Sequence, residues 1–81
     1  MLQKFTVDIQ QITQEVLNVQ GNANGLTFIN KGAATVFIEN FPLAQFESID
    51  IVGNSGEICT KSFNIKGNTL GALWVIRKTY L

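Results

Sequence analysis

Leu26-Thr-Phe-Ile-Asn30, Lys31-Gly-Ala-Ala34 and Thr35-Val-Phe-Ile-Glu39 follow one another without a break, and how they are read decides the fold. Two runs rich in β-branched and aromatic residues flank Asn30-Lys31-Gly32-Ala33. Asparagine and glycine tolerate the positive φ that tight turns need, so the spacing predicts a β-hairpin. Downstream, Asn40-Phe41-Pro42 interrupts the pattern. Pro42 has no backbone N–H, so no central strand is expected to run through it. Phe46 to Val52 resumes a strand, with Ile49 and Ile51 opposite Ser48 and Asp50. Gly53-Asn54-Ser55-Gly56 reads as a loop, Ile58 to Ile65 as a roughly alternating strand, and Lys66-Gly67-Asn68 as a turn. Leu73 to Tyr80 is the last strand, with Leu73 and Val75 opposite Trp74 and Ile76. Turns recur about every ten residues, as in a sandwich or small barrel.

Upstream of Gly25 two readings compete. Phe5, Val7 and Ile9 alternate with Thr6 and Asp8, which suits a strand. Leu2, Phe5, Ile9, Ile12, Val16 and Val19 recur at spacings of three and four, the seam of a short coiled coil. The β-branched residues Thr6, Val7, Ile9, Ile12, Thr13, Val16 and Val19 favour strand. Gln10, Gln11, Gln14, Glu15 and Leu17 favour helix. The expected fold is all-β: a small antiparallel sandwich of about six or seven strands, with a helical first twenty residues as the variant. One domain, 1–81, is expected, with residues 1–24 as an arm or the first strands and 25–81 as a strand-turn core.

Composition points toward partner subunits. A chain of 81 residues buries only about 60–65% of the surface that its unfolded form exposes. Small domains commonly add disulfides, metals or subunits. Cys59 is the single cysteine and there is no histidine, so an intrachain disulfide and the usual zinc ligand pairs are both ruled out. Charged residues make up 15%, against about 25% in typical domains. Six phenylalanines, Trp74 and Tyr80 add apolar bulk that a small monomer hides poorly. Six basic residues balance six acidic ones and lie scattered along the chain, so no basic stripe for nucleic acid forms. Ala72 to Ile76 is too short to cross a bilayer, and the first twenty residues lack the apolar stretch of a secretion leader.

The residue inventory is poor in chemistry. Without histidine the commonest general base and the Ser-His, Cys-His and His-metal arrangements are missing together. Cys59, with no partner to activate it, reads as a small apolar group. Glu47 and Asp50 lie three apart in a predicted strand, on opposite faces. Asp50-Ile-Val-Gly-Asn54-Ser-Gly-Glu57 lacks the alternating acidic ligands of a calcium loop. Gly21-Asn-Ala-Asn-Gly25 lacks the Lys-Ser/Thr of a phosphate loop. No catalytic, cofactor or metal site is expected. Phe41, Trp74 and Tyr80 are the interface candidates, since aromatics can anchor a partner or stack on a sugar ring. Trp74, within Leu-Trp-Val-Ile, reads more readily as core. Phe41, beside Pro42 in an expected loop, and Tyr80 are the better interface candidates.

The stretch Leu26-Thr-Phe-Ile-Asn-Lys-Gly-Ala-Ala-Thr-Val-Phe-Ile-Glu-Asn40, then Pro42-Leu-Ala-Gln-Phe-Glu-Ser48, and finally Leu73-Trp-Val-Ile-Arg-Lys-Thr-Tyr80 resembles small β-sandwich virion proteins of tailed bacteriophages. Such domains often carry a Leu-x-Pro-Gly-Glu-Ser-like corner. Here Ala44-Gln45 stands where Pro-Gly would fall. The resemblance implies a non-enzymatic structural protein of the particle, in capsid decoration, a head fibre or the tail. It implies a virion location after synthesis in the host cytoplasm. It also implies partners that are further copies or other virion proteins; from charge, hydropathy and residue inventory, no nucleic acid, membrane, cofactor or small-molecule ligand is expected. The rival expectation is a small ligand- or glycan-binding module with Trp74 or Phe41 in a groove.

Overall fold

Alternating side chains need cover on one face, and eight short strands provide it by stacking two sheets. The computed structural model describes residues 2–67 and 71–81. Its strands are β1 (Phe5–Ile12), β2 (Val16–Gln20), β3 (Gly25–Asn30), β4 (Val36–Ile38), β5 (Phe41–Leu43), β6 (Ser48–Ile51), β7 (Ser62–Lys66) and β8 (Leu73–Tyr80). One sheet has the order β1-β8-β3-β6 and the other β2-β7-β4-β5, with all pairs antiparallel. The pairings nest: β1 with β8, β2 with β7, β3 with β6 and β4 with β5. This is the strand order of a jelly roll. Ile12, Leu26, Phe28, Leu73 and Val75 from the first sheet pack on Val19, Val36, Ile38, Leu43, Phe63 and Ile65 from the second. The rings of Phe28 and Phe63 meet edge to face across the layers, 5.3 Å between centroids.

No helix occurs among the described residues, so the helical variant of the N-terminus is set aside. The step of three from Val16 to Val19, part of the heptad-like spacing, has a different cause. Val16 pairs with Ile65 and Val19 with Phe63, so β2 carries one extra residue. That residue forms a bulge, with Asn18 at φ 63° and its N–H bonded to Asn64 Oδ1. The strand count exceeds the expected six or seven because the N-terminus supplies two strands and Glu39-Asn40 divides a third region into β4 and β5.

The predicted hairpin of residues 26–30 with 35–39 does not form: β3 and β4 lie in different sheets. Asn30 is the reason. Its buried carboxamide accepts from Gly32 N and donates to Ala34 O, which turns the chain out of the first sheet. The same Nδ2 donates to Leu43 O in the second sheet. The tight hairpin is instead β4–β5, whose two loop residues Glu39 and Asn40 both have positive φ, 51° and 73°. That is the signature of a type I′ turn. Pro42 sits in β5, an edge strand, where its missing N–H costs no ladder bond. β7 is shorter than the predicted 58–65 strand, and Cys59 makes only an isolated bridge to Ala23. Gly67 adopts φ 107°, in keeping with the predicted turn, whose Asn68 lies outside the described residues.

The corner after β5 is a four-residue turn closed by Glu47 N donating to Ala44 O, 3.1 Å. Gln45 and Phe46 are its central residues, and Phe46 has φ 65°. A Pro-Gly pair would therefore fall on Gln45-Phe46, one residue later than Ala44-Gln45. Phe46 holds a conformation that glycine adopts without strain.

Candidate interaction surface

Paired residues share a face, so the register of β1, β8 and β3 fixes what the first sheet turns outward. Phe5 lies opposite Tyr80, Val7 opposite Lys78, Ile9 opposite Ile76 and Gln11 opposite Trp74. On the next strand Ile29 is opposite Trp74 and Thr27 opposite Ile76. The inward residues Leu73 and Val75 are fully buried. The outer face therefore carries Phe5, Val7, Ile9, Ile29, Trp74, Ile76 and Tyr80 on three adjacent strands. Phe5, Val7 and Ile9 are 53%, 47% and 60% exposed. From strand spacing and rise this apolar surface is roughly 20 Å by 15 Å, about 300 Å². Exposed patches of that size are often functional.

Its electrostatics are local. The Lys78 ammonium lies 4.6 Å from the Phe5 ring centroid and 4.9 Å from that of Tyr80. The two rings meet edge to face, 6.2 Å apart. Arg77 points the other way, its Nε donating to Gln20 O at 2.9 Å and its Nη1 standing 3.4 Å from Asp8. The adjacent basic pair thus diverges, as strand alternation requires. Asn24, buried at the start of β3, orients this end of the sheet. Its Nδ2 donates to Asn54 O, Ser55 O and Glu57 O, and its Oδ1 accepts from Tyr80 N.

The interface candidates separate. Trp74 is half-buried on the outer face, so its reading as core is corrected: Leu73 and Val75 take the inward positions of β8. Tyr80 shares that face. Phe41 lies in β5 of the other sheet, in a strand rather than a loop, and is 53% exposed. Phe37 and Pro42 are paired next to it. Neither a family model, a curated protein nor a solved structure matches the chain. The functional reading therefore rests on these residues.

A shallow depression of about 360 Å³ lies over Gly25, where the sheet lacks a side chain, with Thr27, Asp50, Lys78 and Tyr80 around it. Three of its polar side chains are already engaged: Thr27 Oγ1 donates to Asp50 Oδ1 at 2.8 Å, and Lys78 stands over the aromatic rings. Neither Trp74 nor Phe41 lines it. Among the described residues no cluster of acidic and cysteine side chains could hold a metal ion.

Trp74 and Tyr80 were among the expected interface residues, whereas Phe5, Val7 and Ile9 were expected only as a strand, or Phe5 and Ile9 as part of a coiled-coil seam. A signal was present. Leu73-Trp-Val-Ile76 is apolar at both parities, as expected of a strand covered on both faces. The apolar positions of β1 shift from odd (Phe5, Val7, Ile9) to even (Ile12), which marks where core cover ends.

Proposed function

We propose that the chain is a non-enzymatic structural subunit that works by being built into a protein assembly. The observation that carries this is the apolar outer face of β1–β8–β3, open to solvent in the single chain. Burying such a face against another protein removes apolar surface from water, at roughly 25 cal/mol per Å². The low charge content suits the role, because interface cores are depleted in charged groups. The sequence resemblance makes the particle of a tailed bacteriophage the setting, as capsid decoration, head fibre or tail component. Jelly rolls occur in viral capsid domains and equally in lectins, so the fold is compatible with this reading without selecting it.

The carboxylates support a non-enzymatic role. Asp8 stands by Arg77, Glu39 by Lys61, Asp50 by Thr27, Glu47 by Ala44 N and Glu57 by Asn54 N, each at a different place in the fold. No two of these five are drawn into one such arrangement, whereas acid–base catalysis needs convergent groups.

Light scattering coupled to size-exclusion chromatography over a dilution series tests the proposal. A mass above the 8.9 kDa of one chain that falls on dilution is expected, with the Trp74 emission shifting to the red as its face is uncovered. A monomer at every concentration, with and without candidate particle proteins, would refute it. The glycan-binding alternative predicts instead a change in Trp74 emission on adding sugars.

A further inference from the structure

We propose that β1 is the strand to which a second copy of the chain adds, antiparallel, about a two-fold axis at Val7. This rests on the assembly reading above and names its partner and geometry. Among the described residues there are four sheet edges, and three carry features that discourage pairing. β5 contains Pro42, β2 contains the bulge at Asn18, and β6 has only four residues, Asp50 among them. β1 has eight residues, no proline and no bulge, in unbroken register with β8. Residues 5–11 are exposed on both faces, so neighbouring strands do not shield its free side.

The backbone directions follow from the ladder. Leu81 N donates to Lys4 O, while Ala72 O and Lys78 O accept from Lys31 N and Asn24 N on the β3 side. In an antiparallel pair these directions alternate along the strand. Thr6, Asp8 and Gln10 therefore bond to β8. Phe5, Val7, Ile9 and Gln11 direct their N–H and C=O groups to the open edge, and Gln3 does so by the same alternation. With Val7 opposite its counterpart, Phe5 faces Ile9 of the second copy, and Gln3 faces Gln11. That gives about ten backbone hydrogen bonds, the number in a typical interface. On the other face Thr6 meets Asp8 and Lys4 meets Gln10, so no like charges oppose.

The neighbouring registers are poorer. An axis at Asp8 sets two carboxylates directly opposite each other. An axis at Thr6 places Ile9 against Gln3. Only the Val7 register matches all three apolar residues with apolar residues. The apolar patch of about 300 Å² falls short of the roughly 800 Å² per partner of a standard interface. Edge pairing adds surface and joins the two patches into one face.

The test uses the whole chain with Cys59→Ser. Val7→Cys is expected to form a disulfide dimer under mild oxidation, and Thr6→Cys is not. Phe5→Cys mixed with Ile9→Cys is expected to cross-link, while neither variant alone does. Separately, Val7→Pro removes an edge N–H without touching the bonds to β8, and is expected to raise the dimer dissociation constant about 30-fold. Unchanged circular dichroism would show that the variant folds. Cross-linking through Thr6→Cys instead of Val7→Cys overturns the register. A wild-type oligomer whose mass Val7→Pro leaves unchanged overturns the β1 pairing while the assembly reading stands. A wild-type monomer at every concentration overturns the β1 pairing, and the assembly reading falls with it only if candidate particle proteins also leave the mass unchanged.

Discussion

Replacing Asn30 with alanine tests the link between the two sheets. Its side chain is fully buried and makes three hydrogen bonds: Nδ2 to Ala34 O and to Leu43 O at 2.8 Å each, and Oδ1 from Gly32 N at 2.9 Å. The main chain at Asn30 is also engaged, with its N–H donating to Glu47 O and its carbonyl accepting from Phe46 N. Alanine keeps the main-chain bonds and orphans three polar groups. The Leu43 carbonyl is buried, and losing its partner costs about 1–3 kcal/mol. Ala34 O and Gly32 N lie nearer the surface, where water can replace part of the loss, at roughly 0.5 kcal/mol each. The expected destabilisation is therefore about 3 kcal/mol. At 4–8 °C per kcal/mol for a domain of this size, Tm should fall by about 12–24 °C. Asn30→Asp should be at least as damaging, because it keeps the acceptor but turns a carboxylate oxygen toward two carbonyls. Urea unfolding and thermal melts followed by circular dichroism measure both. A loss below about 1 kcal/mol for the alanine variant would refute the view that Asn30 ties the crossover to β5.

Two further predictions concern single turns. Phe46→Gly should stabilise the isolated chain by about 1 kcal/mol, because glycine relieves the left-handed φ at the corner; an unchanged or lower urea midpoint would contradict this. Glu39 is held below the usual carboxylate range by its hydrogen bond from Lys61 at 2.8 Å and then by the Asn64 N–H, with partial desolvation opposing both. Its folded pKa is lowered, so the stabilisation is fully present above the ordinary value of 4.5 and fades as the pH falls through the depressed one. The stability gap between wild type and Glu39→Gln should accordingly shrink between about pH 6 and pH 3, and a gap constant across that range would count against the ion pair.

Much of the architecture was legible because alternation is a local property. The all-β class and the opposed faces of segments 46–52 and 73–80 follow from it, and the missing N–H of Pro42 kept that residue out of a central strand. The pairing of β3 was not legible, because Asn30-Lys31-Gly32 looks the same whether asparagine supplies a positive φ or a buried carboxamide. Only tertiary packing brings Leu43 O to that side chain. Part of the N-terminal ambiguity came from the bulge, where one extra residue in β2 turns a period of two into the Val16–Val19 step of three, while the Ile9–Ile12 step is a change of face along β1. For the candidate surface, Trp74 was assigned to the core because an apolar strand does not reveal which of its two faces is covered by its own chain. Phe5, Val7 and Ile9 were seen as a strand, but their outward direction depends on Ile12 being the residue that enters the core.

By the cost of loop closure, the nested pairing favours one order of folding. The entropy of closing a loop rises with its length, and the β4–β5 turn encloses only Glu39 and Asn40. Once that hairpin exists, β3 and β6 are brought near each other, then β2 and β7, and finally β1 and β8. On that order the ribbon zips outward from its tip, and β1 meets a partner 61–75 residues downstream only in the last step. A chain arrested earlier has no ordered β1 edge and no aligned row of Phe5, Val7 and Ile9. Joining through that strand would therefore admit finished subunits and pass over incomplete ones, a form of proofreading set by topology alone.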